Sequence, residues 1–170
     1  MNAVNEAPSL EARIDAAIAA KPDGILEVMA ETADASLLQV MERLPDNSVK
    51  LADAAKFDEI WKSLQSWGEV LFIVHTEDIV LECVASLPDG THGHGYFNIH
   101  GDSPIGGHIK ASNCKAIAVV DRPFHGRRSC SVQFMNQKGN AMFKVFVRRD
   151  KERNLLPEQL EAFDRLKLTA

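Results

Sequence analysis

The stretch Gly68–Ala85, GEVLFIVHTEDIVLECVA, decides how the rest of the chain is read. Before it, apolar residues recur every three or four positions. From Glu69 onward they alternate, which marks the change from a helical period to a strand period of two. Val70–Val74 and Ile79–Ala85 read as paired strands joined through His75–Asp78. On the first strand Leu71, Ile73 and His75 point to one face, and Phe72 and Val74 to the other.

Working outward, residues 9–67 read as helices. Leu10, Ile14 and Ile18 repeat at helical spacing behind Ser9, a good N-cap, and Glu11 favours the first turn. Two short amphipathic segments follow, one striped by Ile25, Val28 and Met29, the other by Leu37, Val40, Met41 and Leu44 before Pro45. A fourth helix aligns Phe57, Ile60, Trp61, Leu64 and Trp67, and Gly68 ends it. Downstream, Pro88–Gly95 reads as a loop, and strands are expected at Tyr96–Ile99, Gly107–Ala111, Ala116–Val120, Arg128–Met135 and Met142–Arg148. The last two join in a hairpin through Asn136–Asn140. Within it Cys130, Val132 and Phe134 share one face, and Ser129, Ser131 and Gln133 the other. A closing helix, about 157–168, starts at Pro157 and buries Leu160, Phe163 and Leu166. Helices first and strands (about 69–149) later indicate α+β with a mostly antiparallel sheet, in one domain over 1–170.

Composition narrows the function. The chain has 170 residues, 45% hydrophobic and 25% charged, near the globular average. Apolar runs such as Val70–Val74 fall far short of the roughly 20 residues that cross a bilayer, so no membrane span is expected. Glu6, Glu11 and Asp15 stand where a secretory signal would be basic and then apolar. Cys83, Cys114 and Cys130 are widely spaced with no C-x-x-C, which suits small apolar residues in a reducing cytoplasm. Net charge is −5, yet residues 1–92 balance to −11 and residues 93–170 to +6. Such asymmetry suits either a second half that handles an anionic partner or a basic sheet face that merely balances acidic helices.

Several motifs bear on that partner. Ile25–Leu44 has the outline of a helix-turn-helix, but its second helix is neutral and its surroundings acidic, which argues against nucleic acid. Phosphate loops, G-x-S-x-G and paired carboxylates are missing, so the common enzyme signatures are absent. Four of the six histidines, His92, His94, His100 and His108, lie close together. Clustering favours metal binding without naming a metal, although His92 and His94 equally suit a solvated turn. His75 at the end of an apolar strand is either a capped core residue or a nitrogen presented to an apolar cavity. His108 follows Gly106-Gly107, which reads first as a turn that simply requires glycine and otherwise as an opening where missing side chains let a flat group approach the backbone. Arg122, Arg127 and Arg128 surround the Pro123–Arg128 turn, and Arg148, Arg149 and Arg153 repeat the theme; guanidinium pairs carboxylates and phosphates, or forms a solvated rim.

Longer runs carry a specific likeness. Gly95–Gly101 (GYFNIHG), Pro104–Ala111 (PIGGHIKA), Asp121–Phe124 (DRPF), Gly126–Phe134 (GRRSCSVQF) and Ala141–Asp150 (AMFKVFVRRD) together resemble the cytosolic haem-utilisation carriers of the HutX/ChuX family, related to HemS-type haem proteins. The resemblance implies a large curved antiparallel sheet with N-terminal helices and a C-terminal helix. It implies a cytoplasmic homodimer whose two copies mimic the internally duplicated HemS-type chain. It also implies haem as cargo, accepted from an importer and passed to a haem-degrading partner, rather than catalysis. His75 and His108 align with the family's haem-binding histidines, and Tyr96, the single tyrosine, is a further possible iron ligand. At least one of Arg122, Arg127 and Arg128 is expected to meet a haem propionate or guide entry, the alternative being that Arg127 or Arg128 serves the sheet or the dimer contact. A haem-degrading or haem-modifying enzyme is the alternative, and a non-haem metal protein comes third.

Overall fold

The computed structural model describes residues 7–170. Three helices come first, α1 (Leu10–Ala20), α2 (Leu26–Ala33) and α3 (Leu37–Glu42). Ser9 caps α1 by accepting from the Ala12 amide at 3.2 Å. Ser36 and Gln39 form a full capping box on α3. Next come β1 (Val49–Asp53), α4 (Phe57–Gln65), the hairpin β2 (Glu69–His75) and β3 (Val80–Ser86), then β4 (Asp89–Gly93), β5 (Tyr96–His100) and β6 (Gly107–Ile109). β7 (Cys114–Phe124), β8 (Arg127–Asn136), β9 (Ala141–Phe146) and α5 (Pro157–Thr169) complete the chain. A six-stranded antiparallel sheet has the order β1-β7-β8-β9-β2-β3, and β4-β5-β6 form a small second sheet. The architecture is α+β, as the change of period indicated.

Three expectations need correction. The stretch read as wholly helical contains β1, which pairs with β7 from Val49↔Val120 to Asp53↔Ala116. The segment read as a loop contains β4, joined to β5 by His94 and Gly95 at φ 52° and 82°. Two successive positive φ values give a hairpin turn whose twist matches its strands. Gly90 makes this strand possible, because a Cβ there would lie 2.2 Å from the Phe97 ring. The stripe Ile25, Val28, Met29 is also displaced: α2 buries Leu26, Met29, Ala30 and Ala33, while Ile25 and Val28 are exposed.

The main sheet is packed differently on its two faces. Cys130, Val132 and Phe134 of β8 point into the larger core, with Phe57, Trp61, Phe97 and Phe163 from α4, β5 and α5. Phe134 stacks on Phe143 at 4.3 Å between centroids and meets Phe57 edge-on at 5.2 Å. Gln159 pins α5 to the sheet: its amide donates to the carbonyls of Trp67 (3.0 Å) and Glu69 (2.6 Å) and accepts from the Arg148 amide. On the opposite face α1, α2 and α3 pack on Ala118 and Val120 of β7 and Met135 of β8. They cover one end of that face and leave the β9-β2-β3 end open.

Candidate functional site

The uncovered end of the sheet and the start of α2 enclose a cavity of about 520 Å³, inside the range of small-molecule sites. The alternation read in β2 is realised here: Leu71, Ile73 and His75 line the cavity, while Val70, Phe72 and Val74 face the aromatic core. β3 adds Val80, Glu82 and Val84. The polar face of β8, Ser129, Ser131 and Gln133, forms part of the wall. Its buried end is polar in an unusual way. Arg122, Ser131, Gln133 and Lys144 are all buried and all line the cavity. Gln133 donates to Ser131 Oγ at 3.1 Å, and its own Oε1 has no partner among the described residues.

Charge in the cavity is positive. Four cationic side chains, Arg122, Lys144, Arg148 and Arg149, stand against the carboxylates of Glu27 and Glu82. Lys144 is 5% exposed and ion-paired with Glu27 of α2. Removing Glu27 strands the buried ammonium. Glu27 Oε1 also lies 3.4 Å from His75 Nδ1, so the carboxylate that pairs the ammonium stands beside the imidazole as well. The sequence signal for this group is a lysine in the middle of the apolar run Ala141–Phe146.

The expected site residues are distributed as follows. His75 and Arg122 lie in the cavity wall. Arg122 is committed to the α1–α2 connection: its Nη1 donates to Gly24 O at 2.9 Å and its Nη2 to Pro22 O at 2.8 Å. Burial lowers the guanidinium pKa from its ordinary value. His108 lies on β6, exposed, with Nδ1 2.7 Å from Asn98 Oδ1. Tyr96 stands edge-on to it at 5.9 Å and borders a separate hollow with His92 and Asp58. The two hollows share no lining residue. Within one chain the cavity therefore holds His75 without His108 or Tyr96. Arg127 is exposed at the start of β8.

Arg128 points to the other side of the sheet. It donates in bidentate fashion to Asp121 at 2.9 and 2.8 Å and reaches Asp164 of α5 at 3.3 Å. The Arg128 hydrogen bond is the main reason the Asp121 carboxyl lies below its usual pKa; the charges of Arg128 and Lys167 add to it. The stabilisation this provides is fully present above the ordinary aspartate pKa of about 3.9 and is lost as pH falls through the lower folded value. Urea unfolding between pH 7 and pH 3 should therefore show a steeper acid loss in the native protein than in Asp121→Asn.

The remaining candidates resolve simply. His92 is paired with Asp58 at 2.8 Å. Among the described residues, no three His, Cys, Asp or Glu side chains converge to hold a metal ion. Burial pushes the Cys114 thiol up to about 11 and the Cys130 thiol up to about 12, so both stay protonated and pack as small apolar groups. No helix among the described residues is long and apolar enough to cross a membrane.

Residues 50–166 match the protein family described as haem utilisation ChuX/HutX. The chain is 31% identical over 156 residues to the intracellular heme transport protein HutX of Vibrio cholerae serotype O1, covering 91% of this chain and 81% of that one. The solved structure of the heme binding protein ChuX matches at 42% identity and a TM-score of 0.83, over 95% of this chain and 98% of that one. Holo-PhuS, a heme-binding protein from Pseudomonas aeruginosa, shares the fold alone, at 13% identity and a TM-score of 0.73, over 96% of this chain and 49% of that one. The family match begins in β1 and ends in α5, taking in the whole sheet that builds the cavity. By that match and by its relative from V. cholerae, this chain belongs to the haem utilisation ChuX/HutX family.

Proposed function

We propose that this chain is a cytoplasmic haem carrier, which accepts imported haem and passes it to a haem-degrading partner without turning it over itself. The observation that carries this reading is the cavity: apolar strand faces, an imidazole at the end of one of them, and an excess of cations. Haem matches that set, being an apolar plane with a ligatable iron and two carboxylates. His75, His108 or both ligate the iron, and Tyr96 stands beside His108 as the other ligand-bearing side chain. Arg122, with Arg148 and Arg149, places positive charge where propionates need it. Arg127 is exposed and free to guide haem on approach. Arg128 supports the sheet through Asp121, so its substitution acts on stability first.

A haem titration followed by visible spectroscopy tests the reading. Saturation near one equivalent per chain, with an imidazole-type spectrum, is the expected result. Incubating the loaded protein with a reductant should return intact haem; an opened-ring product would favour the enzyme reading instead.

The homodimer belongs to the same proposal. β3 is an edge strand of the main sheet, and Val80, Leu81 and Val84 on it, with Ile79 just before it, are each about half exposed. An apolar edge with unpaired backbone groups is a pairing surface. Light scattering should give about twice the 18.8 kDa chain mass, and a clean monomer at micromolar concentration would remove this part of the reading.

A further inference from the structure

We propose that Asn98 is a positioning residue that sets the proton of His108 on Nδ1 and leaves Nε2 bare for iron. Asn98 of β5 and His108 of β6 are direct partners across the small sheet, so their side chains share a face. The Asn98 amide cannot turn over. Its Nδ2 faces three carbonyl oxygens, Gly93 O at 3.0 Å, Thr91 O at 3.2 Å and Tyr96 O at 3.3 Å. A flipped amide would set Oδ1 against all three, acceptor against acceptor. Oδ1 is therefore the atom that meets His108, at 2.7 Å from Nδ1. An amide oxygen only accepts, so Nδ1–H must donate, and in the neutral ring the lone pair stays on Nε2. Since β6 is exposed at this position, that nitrogen is reachable.

Three strands cooperate in this. The turn at His94 and Gly95 brings the β4 carbonyls of Thr91 and Gly93 alongside Asn98. They orient the amide, the amide orients the imidazole, and the imidazole keeps one tautomer before any ligand arrives. Metal-binding histidines are commonly held by an outer partner in this way, and loss of that partner costs about 10–100-fold in metal affinity. His75 in the cavity wall has only a carboxylate near its Nδ1, Glu27 at 3.4 Å. The role given to Asn98 rests on the haem-carrier reading; the tautomer does not.

The two parts are measured separately. Long-range proton–nitrogen NMR on the labelled protein without haem should find neutral His108 protonated at Nδ1, and Asn98→Leu should populate the other tautomer. Haem titration should show binding about 10-fold weaker in Asn98→Leu, with an altered visible spectrum, and no further loss when the same substitution is added to His108→Ala. A proton on Nε2 in the native protein overturns the inference without using any variant. Equal losses in both backgrounds would mean that Asn98 only supports the sheet, and unchanged binding in both would deny Asn98 any part in positioning the ligand; either result overturns it. If the native protein fails to bind haem, the carrier reading falls instead, and the NMR result still judges the tautomer.

Discussion

Replacing His75 and His108 together by alanine should remove the imidazole-type spectrum of the haem complex and weaken binding by at least about 100-fold, the upper end of what loss of an outer partner alone costs. The two histidines lie on different sheets, so each single variant reports on its own element. His75→Ala empties one side of the cavity wall and frees Glu27, which keeps its ion pair with Lys144. His108→Ala leaves that wall intact. A spectral change confined to one single variant identifies the ligand. If the double variant binds haem with the native spectrum, neither imidazole is the ligand, and Tyr96 becomes the residue to substitute next.

Phe134→Ala should lower stability by about 3–5 kcal/mol, the range for truncating a fully buried aromatic ring. Phe134 is 0% exposed and touches Phe57 and Phe143 at once, so no single neighbour can fill the space it leaves. For a chain of this length each kcal/mol shifts Tm by about 2–4 °C, and the midpoint should fall by about 10 °C. Thermal unfolding followed by circular dichroism measures it. Below the transition the variant should still bind haem, because Phe134 faces away from the cavity that Gln133 lines. A loss under about 1 kcal/mol would mean that the aromatic cluster closes over the gap.

The parts of this structure that were legible in the sequence are those with a long, regular period. β8 alternates over ten residues, and both its core face and its cavity face were readable before any contact was known. The face of β2 that carries His75 was read the same way. β1 was missed because it is five residues long and owes its existence to β7, more than sixty positions later. β4 was missed because Asp89-Gly-Thr-His-Gly93 is turn-like in composition. What makes it a strand is the space Gly90 leaves for Phe97, which no local propensity records. The site was partly legible for a related reason. A histidine at a strand end can be seen in one dimension, but the burial of Lys144 depends on Glu27, 117 residues away. Arg122 and Arg128 looked equivalent around one turn. Only the register of the hairpin shows that one holds the α1–α2 connection and the other an aspartate on the opposite face.

The two-sidedness of β8 bears on how such a chain can evolve. Even-numbered positions from Cys130 to Phe134 fill the aromatic core, and odd-numbered positions from Ser129 to Gln133 line the cavity. Substitutions at the first set draw on the narrow stability margin of the domain. Those at the second reshape what the cavity accepts while leaving the core untouched. Selectivity and foldedness are thus interleaved residue by residue along one ribbon yet inherited separately, so descendants can drift toward different cargoes without first passing through an unfolded ancestor.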